Sequence, residues 1–157
     1  KSLKTSPGGL LKFLFTGVII ALHWIAFFSA IKVANVSIAL IAMSTGALFT
    51  SLIEPLFFKR RLIFLELLFG LIVIAGLYLI FDVESKYTLG IIYALIASFL
   101  SALFTVLNGL YIKRYDAEII SFYQLVFGVL FISIFVLATS GFSIQDFVLK
   151  NHFCFLL

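Results

Sequence analysis

The chain has 157 residues, of which 64% are hydrophobic and only 11% charged, with a formal net charge of +4 and a mean hydropathy of +1.26. A soluble domain carries about 25% charged residues, and this little charge cannot cover this much apolar surface in water. The composition therefore excludes a soluble globular fold, and a lone Cys154 excludes an internal disulfide framework and a multi-cysteine zinc site.

A helix crossing the hydrocarbon core needs about 20 mostly apolar residues. In chain order the sequence predicts five such spans, at residues 13–31, 36–58, 62–81, 89–112 and 119–140. Each is apolar around its whole circumference, without the period-2 alternation of a transmembrane barrel strand. The connectors, 32–35, 59–61, 82–88 and 113–118, are too short for a soluble domain and force antiparallel neighbours. The expected fold class is an all-α, polytopic membrane helical bundle.

The basic residues stand in short clusters at the ends of the apolar runs, which marks them as topology determinants rather than a nucleic-acid-binding face. One side of the expected bundle carries Lys1, Lys4, Lys12, Lys59, Arg60, Arg61, Lys113 and Arg114, and the other only Lys32, Lys86 and Lys150. The positive-inside rule puts loops 1–12, 59–61 and 113–118 in the cytoplasm. The polar start at Lys1 and the short apolar run 153–157 after Asn151-His152 read as the ends of a fragment of a longer protein.

The first span carries His23 beside Trp24 near its middle, with Thr16 seven residues earlier on the same helical face and Phe27 four residues later. An ionisable side chain at that depth is costly and marks a functional position by default. A neutral imidazole there can bond a substrate carboxylate or amine, or carry a proton; alternatively it is a core histidine bonded to a neighbouring helix. Glu54-Pro55 ends the second span, where Pro55 removes the backbone bond to Ser51. Glu54, and Glu66 in the third span, can pair with the Lys59-Arg60-Arg61 cluster as a gate or hinge. Lys32 at the outer rim snorkels or attracts anions to an outer mouth.

Two stripes of small residues set the packing. The fourth span repeats Gly90, Ala94, Ala97, Ser98, Ser101, Thr105 and Asn108 at helical spacing; the second has Ser37, Ser44 and Ser51 every seven residues, with Ala39, Ala42 and Gly46 alongside. Apolar helices gain nothing from the hydrophobic effect by associating in lipid, so small faces and interhelical hydrogen bonds hold a bundle. Such stripes also line pathways where helices meet. Gly70 and Gly76 in the third span read as packing, and Gln124 in the fifth is open to either meaning. No metalloprotease helix, phosphate loop, nucleophile elbow or paired carboxylates on one face signal an enzyme, and no cofactor or metal is called for.

The stretch 21–37, Ala-Leu-His-Trp-Ile-Ala-Phe-Phe-Ser-Ala-Ile-Lys-Val-Ala-Asn-Val-Ser, resembles the junction of the third and fourth spans of EamA-type members of the drug/metabolite transporter superfamily. Glu54-Pro55, the basic turn after it and the Gly70…Gly76 span resemble the close of the first EamA repeat. Leu89-Gly90 through Lys113-Arg114, with Tyr123-Gln124, resembles the opening of the second. The connector 59–61 is shorter than the family's usual one, and 150–157 does not match a clean start of the eighth span.

The resemblance implies a ten-helix fold of two inverted five-helix repeats. Residues 1–82 would hold the last three spans of the first repeat, and 83–157 the first two of the second. It further implies a carrier of small organic metabolites such as amino acids, often an exporter, working by alternating access; the abundance of Phe (20 residues) and Ile points to a bacterial inner membrane. The cavity would be lined by His23, Trp24, Ser44, Thr45, Ser98 and Ser101, with lipid, a small-molecule substrate and a coupling proton or ion as partners. A non-transporting membrane scaffold subunit is the competing expectation, favoured if the polar stripes lie fully buried.

Overall fold

The computed structural model describes residues 6–83 and 85–140. The expectations for Lys1, Lys4, Lys150 and the tail 141–157 lie outside the described residues. Six α-helices and one 3₁₀ turn follow each other: α1 Pro7–Val33, α2 Val36–Met43, α3 Gly46–Phe58, α4 Phe64–Val83, the turn Ser85–Tyr87, α5 Thr88–Tyr111 and α6 Ala117–Ser140. No strand occurs among the described residues. The architecture is an all-α bundle of membrane-spanning helices.

Local chemistry sets the helix ends. Ser6 accepts a hydrogen bond from the Gly9 amide at 3.2 Å with Pro7 in the first turn, and Asn35 accepts from the Ile38 amide at 2.9 Å, so α1 and α2 start on side-chain caps. α3 stops at Lys59, which takes the left-handed conformation with φ 53° and ψ 32° and turns the chain towards α4.

Among the described residues Pro7–Val33, Val36–Phe58, Thr88–Tyr111 and Ala117–Thr139 are long and apolar enough to cross a membrane, and α4 is apolar over Phe64–Leu79. The outward faces are greasy, as at Leu56 and Phe64, which are 79% and 76% exposed. That pattern suits hydrocarbon and is untenable in water.

The second expected span is not one continuous helix. It breaks at Ser44–Thr45 between α2 and α3. The Ser44 hydroxyl donates to the Ile41 carbonyl at 2.6 Å and the Thr45 hydroxyl to the Ala42 carbonyl at 2.7 Å. Hydroxyls bonded back onto the preceding turn compete with the helical ladder and tighten it locally. The break also rotates the serine repeat: Ser37 and Ser44 face outward while Ser51 is buried, so the seven-residue spacing does not make one face.

α5 is the central element. It packs on α1, α2 and α3, while α6 lies on α1 and α4 leans on α3. Gly90, Ala94, Ala97 and Ser98 of the predicted stripe are buried; Ser101 and Asn108 are half-buried and Thr105 is exposed. Gly90 faces the α1–α2 corner, where a Cβ would stand 2.5 Å from Cβ of Ala34. One core joins Ala30, Ile38, Ala39, Ala42, Ile91 and Ala94, and a second joins Ile53, Ala102 and Val106. α1 and α6 cross closely at Gly17, where a Cβ would meet the Gln124 carbonyl at 2.8 Å. Small residues bring the backbones together, as lipid-embedded helices require.

Candidate functional site

His23, the α2–α3 break and Ser98 lie near the middles of their spans, so three elements converge at one depth. The His23 ring nitrogen Nδ1 lies 2.8 Å from the Ala97 carbonyl oxygen. A carbonyl oxygen only accepts, so Nδ1 carries a proton, and in the neutral form of the ring the lone pair lies on Nε2. Trp24 and Phe104 stand edge-on to the imidazole at 5.5 and 5.7 Å between ring centroids, and Phe27 stacks on it at 6.3 Å. The residue is 8% exposed, and among the described residues no hydrogen bond reaches Nε2. A buried acceptor left unpaired costs about 1–3 kcal/mol.

One position along α5, Ser98 meets the broken span. Its hydroxyl donates to the Met43 carbonyl at 3.1 Å and stands 3.0 Å from the Thr45 hydroxyl, which donates to Ser98 or to the Ala42 carbonyl. A Cβ on Gly46 would lie 3.3 Å from Ser98 Oγ, so glycine lets α5 approach the break. Thr45 and Ser98 are buried.

Of the six residues expected to line a cavity, the structure joins Thr45 to Ser98 and bonds His23 to Ala97, the residue before Ser98. Trp24 packs on the His23 ring, and Ser44 stays outside the group. Trp24 turns towards α6, stacks on Phe28 at 5.6 Å, and lines an apolar cavity of ≈ 490 Å³ with Ile25, Phe28, Ile132, Phe135 and Val136. Ser44 is exposed with its hydroxyl spent on Ile41. Ser101 is half-buried on α5, and Lys32 is exposed in the last turn of α1.

The charged cluster assembles at the other end of the α3–α4 hairpin. The Arg60 guanidinium donates to Glu54 Oε2 at 2.7 Å and stands 3.4 Å from Glu66 Oε2. Because Lys59 is in the left-handed conformation, the chain doubles back and Arg60 reaches both helices. Pro55 lies inside α3, one turn before its end. Lys59 and Arg61 are exposed and take no ion pair among the described residues. The three-residue bridge closes one end of a cavity of ≈ 400 Å³ between α3 and α4, lined by Thr50, Ser51, Phe69, Gly70 and Val73 among others.

A polar node among α1, α5 and α6 escaped the sequence reading. Gln124 Nε2 donates to Thr16 Oγ1 and to Asn108 Oδ1, both at 2.7 Å, and Gln124 is buried. Phe13 packs beside the node against Tyr111, Tyr115 and Tyr123. Gln124 is the signal in the sequence, as an uncharged amide inside a span; its partner Thr16 lies 108 positions away. Among the described residues no group of His, Cys, Asp and Glu side chains is arranged to hold a metal ion.

These features define a polytopic α-helical membrane protein with polar groups gathered where a span is interrupted. The model of the EamA-like transporter family matches residues 1–82, more than half of the chain, and the chain belongs to that family. It is an integral membrane protein of a transporter family. No curated protein and no solved structure gives a significant match.

Proposed function

We propose that this transporter carries small organic metabolites, amino acids among them, outward by alternating access between two inverted repeats, with residues 1–82 in one and 83–157 in the other. The observation that carries the reading is the break at Ser44–Thr45, opposite Ser98 and one residue from the carbonyl that holds His23. Interrupted helices survive at membrane depth only where protein or a cavity takes their polar groups, and transporters place substrate sites at such interruptions.

In this reading His23, Trp24, Ser44, Thr45, Ser98 and Ser101 belong to the substrate path. Glu54, Pro55, Lys59, Arg60, Arg61 and Glu66 form a gate on the cytoplasmic side, and Lys32 stands at the outer mouth. The orientation follows the excess of Lys and Arg in loops 1–12, 59–61 and 113–118, in a bacterial inner membrane; a proton or ion supplies the coupling. Uptake and efflux of labelled amino acids by the full-length protein in vesicles tests the proposal. His23→Ala is expected to slow movement of substrate; unchanged rate and affinity would withdraw the site.

The competing reading, a non-transporting scaffold, draws on the mutual burial and bonding of Thr45 and Ser98. It predicts no substrate movement in vesicles by any variant or by the parent.

A further inference from the structure

We infer that the substrate meets His23 through an N–H or O–H donor, and that an amine, rather than a carboxylate, is the end of the substrate held there. The inference rests on the proposed site and adds the chemical class it selects. The Ala97 oxygen, 2.8 Å from Nδ1, fixes the proton on that nitrogen. The neutral ring then has one function left, the acceptor lone pair of Nε2.

A carboxylate brought to that lone pair sets acceptor against acceptor, in surroundings where charge repulsion is little screened. A donor completes the hydrogen bonding of the ring without moving its proton. The rings of Trp24, Phe27 and Phe104 enclose the imidazole in apolar surface. An amphipathic amine with an apolar body therefore suits both the acceptor and its enclosure. The Trp24 ring also lines the ≈ 490 Å³ apolar cavity between α1 and α6, which offers room for such a body.

Two probes of matched shape isolate the charged end: phenethylamine and 3-phenylpropionate, titrated into a full-length variant that keeps Trp24 and no other tryptophan. Phenethylamine is expected to shift Trp24 emission and to bind at least tenfold more tightly than the carboxylate at neutral pH. His23→Gln, whose amide reaches the position of Nε2, should retain amine binding, whereas His23→Asn, which reaches only that of Nδ1, should lose it. A carboxylate that binds as well as the amine, or an amine that leaves Trp24 emission unmoved, overturns the inference. The site beneath it fails separately, by His23→Ala transporting like the parent.

Discussion

Thr45 and Ser98 hold their hydroxyl oxygens 3.0 Å apart across the seam between the broken span and α5, and Ser98 donates a hydrogen bond to the Met43 carbonyl. The pair ties a helix interruption to the central helix at the depth where substrate is expected. Side-chain hydrogen bonds between membrane helices average only about 0.6 kcal/mol, so the pair is a positioning device more than a source of stability. Ser98→Ala and Thr45→Val should each lower unfolding stability in detergent by about 0.5–1.5 kcal/mol. Because they remove the same contact, the double variant should lose less than the two single losses together. Strict additivity would show that the hydroxyls do not interact.

Arg60 bridges carboxylates on two helices, and removing it leaves Glu54 and Glu66 facing each other without a cation between them. These groups are about one-third exposed, and pairs of that kind contribute no more than about 1 kcal/mol. Arg60→Gln should therefore barely change the melting temperature while it separates α3 from α4. Spin labels at the exposed positions Leu56 and Leu71 should report a longer distance in the variant. An unchanged distance, with unchanged transport, would strip the bridge of any gating role.

Gly70 leaves room for Leu48 at the α3–α4 contact, where a Cβ would collide with the leucine side chain. Gly70→Ala should destabilise the protein by about 1–3 kcal/mol through overpacking. Leu48→Ala in the same chain should relieve most of that loss. Gly76→Ala is the control, since nothing lies within 4 Å of a Cβ there, and its melting temperature should match the parent. Equal effects at Gly70 and Gly76 would contradict the contact.

Gln124 serves Thr16 and Asn108 with the two hydrogens of one amide nitrogen. Gln124→Leu removes both bonds and should cost about 1–2 kcal/mol in detergent unfolding. Gln124→Glu should cost more, because the donors are replaced by a group that faces acceptors. A glutamate variant as stable as the parent would mean that the node opens to water.

The spans were legible because lipid demands apolarity on every side of a helix, a signal that needs no tertiary partner. The charged turn was legible for a similar reason: Glu54, Arg60 and Glu66 lie within two helical turns of one hairpin. The break at Ser44–Thr45 was not, since Ser and Thr also sit inside continuous membrane helices, and only α5 with Ser98 and the small Gly46 makes the interruption tenable. Trp24 follows His23 in sequence, yet about 100° of helical rotation per residue sends it towards α6 while His23 turns to α5. The Thr16–Gln124–Asn108 node joins residues from three helices, and nothing in local spacing brings them together.

α4 rests on α3 and the adjoining 3₁₀ turn, and its side chains Leu65, Phe69, Ile72 and Tyr78 stand exposed. Apolar side chains so placed are covered by lipid or by another membrane helix. A push from the bilayer would therefore reach this protein first through α4, and through it the Arg60 clasp at the mouth of the α3–α4 cavity.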